Sequence, residues 1–194
     1  MKKLGAIVLA AGLSRRMGKE KILLSFGKGT VLERVLGTLS AAGVQERVVV
    51  VRPDLPEAAE IARRSGSRVA VNPRPEEEML FSIRIGREQL AAGLDAFFVW
   101  PADHPAVTAA TLLALASEAS PATVSVPVYR GRRGHPPLVG SGLAEAIAAI
   151  PAGEGLSYLW RLRPELLHET AVEDRGVILD INTPGDYEEA LRVI

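Results

Sequence analysis

The sequence predicts an α/β fold with a largely parallel sheet, and three observations carry that reading. Short uninterrupted apolar runs, Ala6-Ile7-Val8-Leu9, Val48-Val49-Val50-Val51 and Ala96-Phe97-Phe98-Val99-Trp100, alternate with segments whose apolar residues recur at helical spacing. A strand that is apolar at every position is buried on both faces, as in a parallel sheet covered by helices. The first run gives way to Ala10, Ala11 and Gly12, with Arg15, Arg16 and Lys21 close behind, so bare backbone and cations meet at a strand's carboxyl end. The length, 194 residues, suits a single domain over 1–194 with a real core.

The apolar run after Met1-Lys2-Lys3-Leu4 is short and leads directly into the glycine stretch, so it reads as a first strand and not a signal peptide. Thr30 caps a helix through Leu39, with Val31, Leu32, Val35, Leu36 and Leu39 on one face and Gly43 as its stop. Strands are predicted at 48–51, 68–71 and 96–100, and helices at 57–64, 82–90 and 108–117, the last capped by Thr108. The second half is less regular. Residues 124–129 alternate as a strand, and Arg130-Gly131-Arg132-Arg133-Gly134 reads as a tight basic turn. Pro136-Pro137 demotes the next apolar residues to an edge or short strand. Helices are predicted at 143–150 and 156–162, a last strand at 177–181, and a closing helix opened by Pro184.

Composition narrows the function. Hydrophobic residues make up 47% and charged residues 24%, an ordinary globular balance. Basic and acidic residues are equal in number, so no global field draws the chain to nucleic acid or an anionic membrane, and anion binding must come from local clustering. There is no cysteine, which removes disulfides, thiolate nucleophiles and cysteine-based metal centres. No run approaches membrane-spanning length, and the expected compartment is cytoplasmic.

Bare N–H groups with nearby cations form an anion site, and beside a strand end the expected anion is a phosphate chain. A Walker loop is excluded by counting: five residues separate Gly12 from Gly18, and Glu20 rather than Ser or Thr follows Lys19. The dinucleotide fingerprint is absent from this turn as well. Asp103, just past the strand at 96–100, is placed to hold magnesium opposite the phosphate loop, or else to cap a turn before Pro105. Asp180 is a second metal candidate, and Asn182 a polar contact or a capping group.

The stretch Leu9-Ala10-Ala11-Gly12-Leu13-Ser14-Arg15-Arg16-Met17-Gly18, with Lys21 beyond it, resembles the signature loop of the nucleotidyltransferases that attach a nucleotide to the molybdenum cofactor. Its Leu-Ala-Ala-Gly resembles the cytidylyltransferase branch more than the guanylyltransferase branch, which usually has Leu-Ala-Gly-Gly. The likeness covers nearly the whole chain, densest at 9–21, 79–84, 101–105, 131–136 and 176–187. It implies a three-layer α/β/α Rossmann-like (GT-A-like) nucleotidyltransferase fold with a mostly parallel mixed sheet. It also implies transfer of a nucleoside monophosphate, CMP from CTP, to the phosphate of molybdopterin with release of pyrophosphate.

The resemblance assigns roles residue by residue. Leu9, Ala10, Ala11, Gly12, Ser14, Arg16 and Lys21 would bind the nucleotide, with Arg16, Lys21 and Asp103 catalytic. Asn72 and Ser82 match a segment near the base, where Ser82 either bonds the base or caps its helix. Glu78 stands where the family commonly has Gly, so its side chain is expected to narrow the pocket or alter base choice. Asp103 corresponds to the family's metal ligand for Mg2+, and His104 replaces the usual Gln beside it. Gly134-His135-Pro136 matches an acceptor-facing motif, in which Arg132, Arg133 and His135 recognise an anionic acceptor or form a solvated basic hairpin; Asn182 is assigned to the acceptor too. The implied partners are a nucleoside triphosphate, molybdopterin and a molybdoenzyme that receives the product. Competing readings are an enzyme of sugar or polyol phosphates, a non-catalytic nucleotide-binding chaperone and a plain structural module.

Overall fold

A computed structural model describes residues 2–13 and 17–194. The strands are β1 (Leu4–Ala10), β2 (Ser25–Phe26), β3 (Gly29–Thr30), β4 (Glu46–Val51), β5 (Arg68–Val71), β6 (Ala96–Pro101), β7 (Val124–Tyr129), β8 (Arg132–Arg133), β9 (Leu138–Gly140) and β10 (Leu167–Ala171). The helices are α1 (Val31–Ala41), α2 (Pro56–Arg64), α3 (Met79–Gln89), α4 (Ala109–Ser117), α5 (Ala144–Ala148), α6 (Tyr158–Leu162) and α7 (Pro184–Leu191). The main sheet runs β10-β7-β9-β6-β1-β4-β5, with β8 hairpinned onto β7; β2 and β3 pair separately. β1 lies in the interior of the sheet, parallel to β4 and β6, and β9 runs antiparallel to both of its neighbours. The sheet is therefore mixed and mostly parallel, as expected. No helix among the described residues is long and apolar enough to cross a membrane.

Alternate side chains on the apolar strands feed two separate cores. Ala6, Val8, Val49, Phe98 and Trp100 pack with Leu32, Leu36, Ala58 and Leu112 from α1, α2 and α4. Ile7, Val48, Val50, Phe97 and Val99 pack on the other face with Leu80, Ile83, Ile147 and Leu159 from α3, α5 and α6. Period-two alternation thus yields three layers, because both faces of each central strand are covered. Burying a Val or Leu side chain contributes roughly 1.5–3 kcal/mol, so the double-sided strands are the chief stabilising element. The capping of α1 is as the sequence implied: Thr30 accepts from the Glu33 amide while Glu33 accepts from the Thr30 amide.

Three expectations need correction, and one strand was not expected. The segment 177–181 is not a strand. Residues Arg175–Ile178 form a 3-10 turn, and Val177 and Ile181 are buried by packing into two different clusters without joining the sheet. The strand β10 had no apolar signal, since it buries only Thr170 and is held by parallel backbone pairing to β7. β9 is short, as the prolines suggest, but it is an interior strand and fully buried. Pro136 and Pro137 precede it, and the Pro137 carbonyl still accepts from the Val99 amide at 3.0 Å, so only donors are lost. Thr108 does not cap α4 through its side chain; its hydroxyl donates to Asp174 at 2.8 Å.

Two glycines bring the second half of the chain against the carboxyl edge of the sheet. A Cβ on Gly134 would collide with the Val177 carbonyl, and one on Gly176 with the backbone of Ala106. These contacts seat the 175–183 segment beside the turn that follows β6, where the Ile181 amide donates to the Asp103 carbonyl at 2.9 Å. Thr183 and Asp186 then form a capping box that starts α7.

Candidate active site

β1 and β6 end at the same level, with Leu9 opposite Pro101, and the Ala102 amide donates to the Leu9 carbonyl at 3.0 Å. Asp103 therefore leaves a fully buried strand beside the point where the side chains of β1 shrink to Ala10, Ala11 and Gly12. Its carboxylate is held on both oxygens. Lys21 Nζ donates to Oδ2 at 2.6 Å, and His104 Nδ1 lies 3.0 Å from Oδ1. A carboxylate can only accept, so Nδ1 of His104 carries the proton. Lys21 Nζ also reaches Asn182 Oδ1 at 3.3 Å, and Asn182 Nδ2 donates to Asp180. Lys21, Asp103 and Asn182, distant in sequence, meet in one polar cluster.

Burial alone would raise the Asp103 pKa, but the His104 hydrogen bond and the charges of His104 and Lys21 outweigh it and hold the carboxyl well below the usual carboxylate range. The His135 imidazole is depressed as well. Burial and the adjacent His104 push it down to about 4, against a weaker opposing pull from Asp103 and Asp180. The two imidazoles are 4.6 Å apart between ring centroids, and His135 is neutral at pH 7.

Two cavities share the walls Met79 and Pro101. The first, about 160 Å³, is lined by Leu9, Ala10, Ala11, Gly12, Lys21, Ser82 and Asp103 among others. The second, about 390 Å³, is lined by Ile83, Val99, Val126, Leu156 and Trp160, with His135, Arg133 and Ser157 as its polar side chains. So the sequence-expected Leu9 to Gly12, Lys21, Ser82 and Asp103 share one space, with Asn182 in contact through Lys21.

Other expected residues are placed differently. Ser14 and Arg16 lie outside the described residues. Asn72 is buried behind the first cavity; its Nδ2 donates to Ser82 Oγ at 2.9 Å and its Oδ1 accepts from the Arg74 amide. Ser82 is therefore not a helix cap, since α3 begins at Met79. Glu78 does not narrow the first cavity: its carboxylate accepts from the Gly153 amide at 2.8 Å, and Glu77 is the lining residue. Arg133 pairs with Glu169 at 2.5 Å, and Asp180 is exposed after a turn and not at a strand end. Trp100 is wholly buried in the core, while Trp160 forms pocket wall.

The family model for the MobA-like NTP transferase domain matches residues 6–170. The chain belongs to the MobA-like NTP transferase domain family. It is 27% identical over 195 residues to the molybdenum cofactor cytidylyltransferase of Escherichia coli, covering 96% of this chain and 95% of that protein. It is 28% identical over 198 residues to a probable molybdenum cofactor guanylyltransferase of Bacillus thuringiensis, with 98% and 96% covered. It is also 26% identical over 186 residues to the nicotine blue oxidoreductase of Paenarthrobacter nicotinovorans, with 91% of each chain covered. Among solved structures, a nucleotidyl transferase from Methanothermobacter superposes with a TM-score of 0.85 at 28% identity, covering 100% of both chains. A Mycobacterium tuberculosis protein solved in complex with manganese superposes at 0.79 with 25% identity, again over 100% of both.

In this MobA-like domain one feature of the site escaped the motif. Arg52 follows the apolar run of β4 and is buried against the glycine stretch; a charge directly after four valines was the available signal. The fold and family are those of nucleotidyltransferases.

Proposed function

We propose that this chain transfers CMP from CTP to the phosphate of a molybdopterin-type acceptor, releasing pyrophosphate. The observation that carries the proposal is the pair of adjoining cavities, one bearing the charged groups Lys21 and Asp103, the other mainly apolar and walled by Trp160. A reaction between a triphosphate and a ring-bearing phosphate needs such neighbours. A sugar or polyol phosphate would set hydroxyls against Ile83, Val99 and Val126 with only Arg133, His135 and Ser157 to receive them, and each unmade hydrogen bond costs about 1–3 kcal/mol. The apolar cavity therefore supports a ring system over a polyol.

An acceptor phosphate is already ionised near neutral pH, so no covalent intermediate and no strong base are required. Catalysis rests on alignment and on neutralising charge at the α-phosphorus. The bare amides from Ala10 to Gly12 approach the phosphates, Lys21 supplies positive charge, and Arg16 is assigned to the triphosphate by resemblance. Asn182 accepts from the same Lys21 ammonium that pairs with Asp103. Arg133 and His135 lie on the acceptor side, His135 as a neutral hydrogen-bonding group.

Asp103 and Asp180 would hold Mg2+. The donor set fits a hard cation that takes one or two carboxylates together with phosphate oxygens and water. Asp103 stays ionised well into acid, and no group of three or more potential ligands occurs among the described residues, so substrate oxygens would complete the coordination. When bound, the ion would neutralise the developing negative charge on the phosphates. The small first cavity and Ala11 support a pyrimidine over a purine. The test is a pyrophosphate-release screen of CTP, GTP, ATP and UTP against molybdopterin and sugar-phosphate acceptors. Molybdopterin-dependent release that favours CTP is expected; release with sugar phosphates, or better use of GTP, would overturn the corresponding part.

A further inference from the structure

We infer that Arg52 is a positioning residue of the nucleotide site, a clamp that ties Gly12 to Glu20 with one planar group. The inference rests on the nucleotide-site reading above. Arg52 comes directly after β4, and only 6% of it is exposed. Its guanidinium points three ways. Nη1 donates to the Gly12 carbonyl at 2.8 Å, Nη2 pairs with the Glu20 carboxylate, and Nε donates to Asp54 at 2.7 Å. Gly12 closes the glycine stretch after β1, and Glu20 directly precedes Lys21.

Each contact has a directional consequence. A trans peptide is planar, so turning the Gly12 carbonyl toward Arg52 turns the Leu13 N–H away from it. Glu20 leads into the 3-10 turn that carries Lys21, and the Leu23 amide donates to the Glu20 carbonyl at 3.0 Å. Fixing Glu20 thus fixes the base from which Lys21 reaches Asp103. The β1–β4 pairing ends at Ala10 opposite Val51, just short of both Gly12 and Arg52. A buried guanidinium is costly to desolvate, and a lysine in its place presents a point charge that cannot serve three acceptors in fixed directions.

The experiment measures binding of Mg2+ with inorganic tripolyphosphate to the full chain by calorimetry, beside steady-state kinetics and thermal melting. Arg52→Lys keeps the charge and removes the fork; Glu20→Gln leaves Arg52 in place and weakens only the loop side. The expected result for Arg52→Lys is a loss of about 10–100-fold in tripolyphosphate affinity and a matching rise in the KM for nucleotide, with the acceptor KM within about twofold. Glu20→Gln should lose less, and the double variant should lose no more than Arg52→Lys alone. A parental affinity in Arg52→Lys, an equal rise in both KM values, or additive losses in the double variant would overturn the clamp while leaving the nucleotide site standing. Should Arg52→Lys fail to fold, parental affinity in folded Glu20→Gln overturns it equally. If the parent chain itself binds no tripolyphosphate, the nucleotide-site reading fails and the clamp with it.

Discussion

The two cavities at the carboxyl edge of the sheet share a wall and almost nothing else. One is floored by backbone, with Lys21 and Asp103 in a 2.6 Å ion pair; the other is walled by Ile83, Val126, Leu156 and Trp160. Their origins differ in part. The polar cavity is built by the ends of β1 and β6, the loops that leave them, Pro75, Glu77 and the start of α3. The apolar one shares β6 and α3 through Val99, Pro101, Met79 and Ile83, and adds Val126 of β7, the 133–137 stretch, Leu156 and the short helix α6. A rigid parallel edge presents charge where direction matters, and a patchwork of antiparallel and loop residues shapes a surface where fit matters. Substitutions on the two sides should therefore fail differently, in turnover on one and in acceptor affinity on the other.

The largest expected effect is at Asp103. Asp103→Asn keeps the shape and a contact for Lys21, so the variant should fold, but its magnesium-dependent pyrophosphate release should fall by about 10³-fold or more. Asp180→Asn, at an exposed site where an amide oxygen replaces the carboxylate, should lose far less. Titrating both variants with magnesium checks the order, and near-parental turnover in a folded Asp103→Asn would break the polar side of the comparison. Next comes Lys21→Ala, for which about 10²–10³-fold in kcat, roughly 2.7–4 kcal/mol, is expected. On the apolar side, Trp160→Ala should raise the acceptor KM about tenfold, or about 1.4 kcal/mol, and leave the nucleotide KM alone. An equal change in both KM values would show that the two cavities do not divide the substrates.

The same contrast decides how much of the molecule could be read before its structure was known. The parallel half was legible because its signals are local. Four valines in a row demand burial on both faces, and a bare glycine stretch after a strand demands a ligand or a close neighbour. Asp103 was legible for the same reason, standing at the end of an apolar strand. The other half depends on contacts between distant residues. Val177 and Ile181 look like strand residues but are buried by α7 and the hairpin, and β10 carries His168 and Glu169 exposed on an edge held by backbone pairing to β7, with no apolar pattern to announce it. Arg52 falls between the two cases, since its charge was visible and its three partners were not.

Acidity should separate the two sides as well. His135 titrates at about 4 in the folded chain against 6.5 for a free imidazole. Below 6.5 the unfolded chain takes up a proton that the folded one refuses, so stability falls as pH drops from about 6.5 to 4. Asp103, held below its ordinary 3.8, extends the loss only at lower pH. Melting His135→Gln across this range should flatten the upper limb alone; an unchanged limb would put its source elsewhere.

The smallest expected effect is a control remote from both cavities. Gly37 lies exposed within α1, and a Cβ there meets nothing within 4 Å. Gly37→Ala should stabilise by about 0.5–1 kcal/mol in denaturant melts and leave both KM values untouched. A change in either KM would mean that global stability, and not cavity chemistry, sets the kinetics.

The claim that joins the two cavities is that a nucleotide held in one is attacked by a phosphate held in the other. Its most direct test is to incubate the chain with CTP labelled at the α-phosphorus, magnesium and molybdopterin, and to follow label and pyrophosphate together. The label should appear on molybdopterin with one pyrophosphate released per transfer, and neither should form without the acceptor. Pyrophosphate released with the label left on free CMP, or no release with any nucleoside triphosphate, would contradict it.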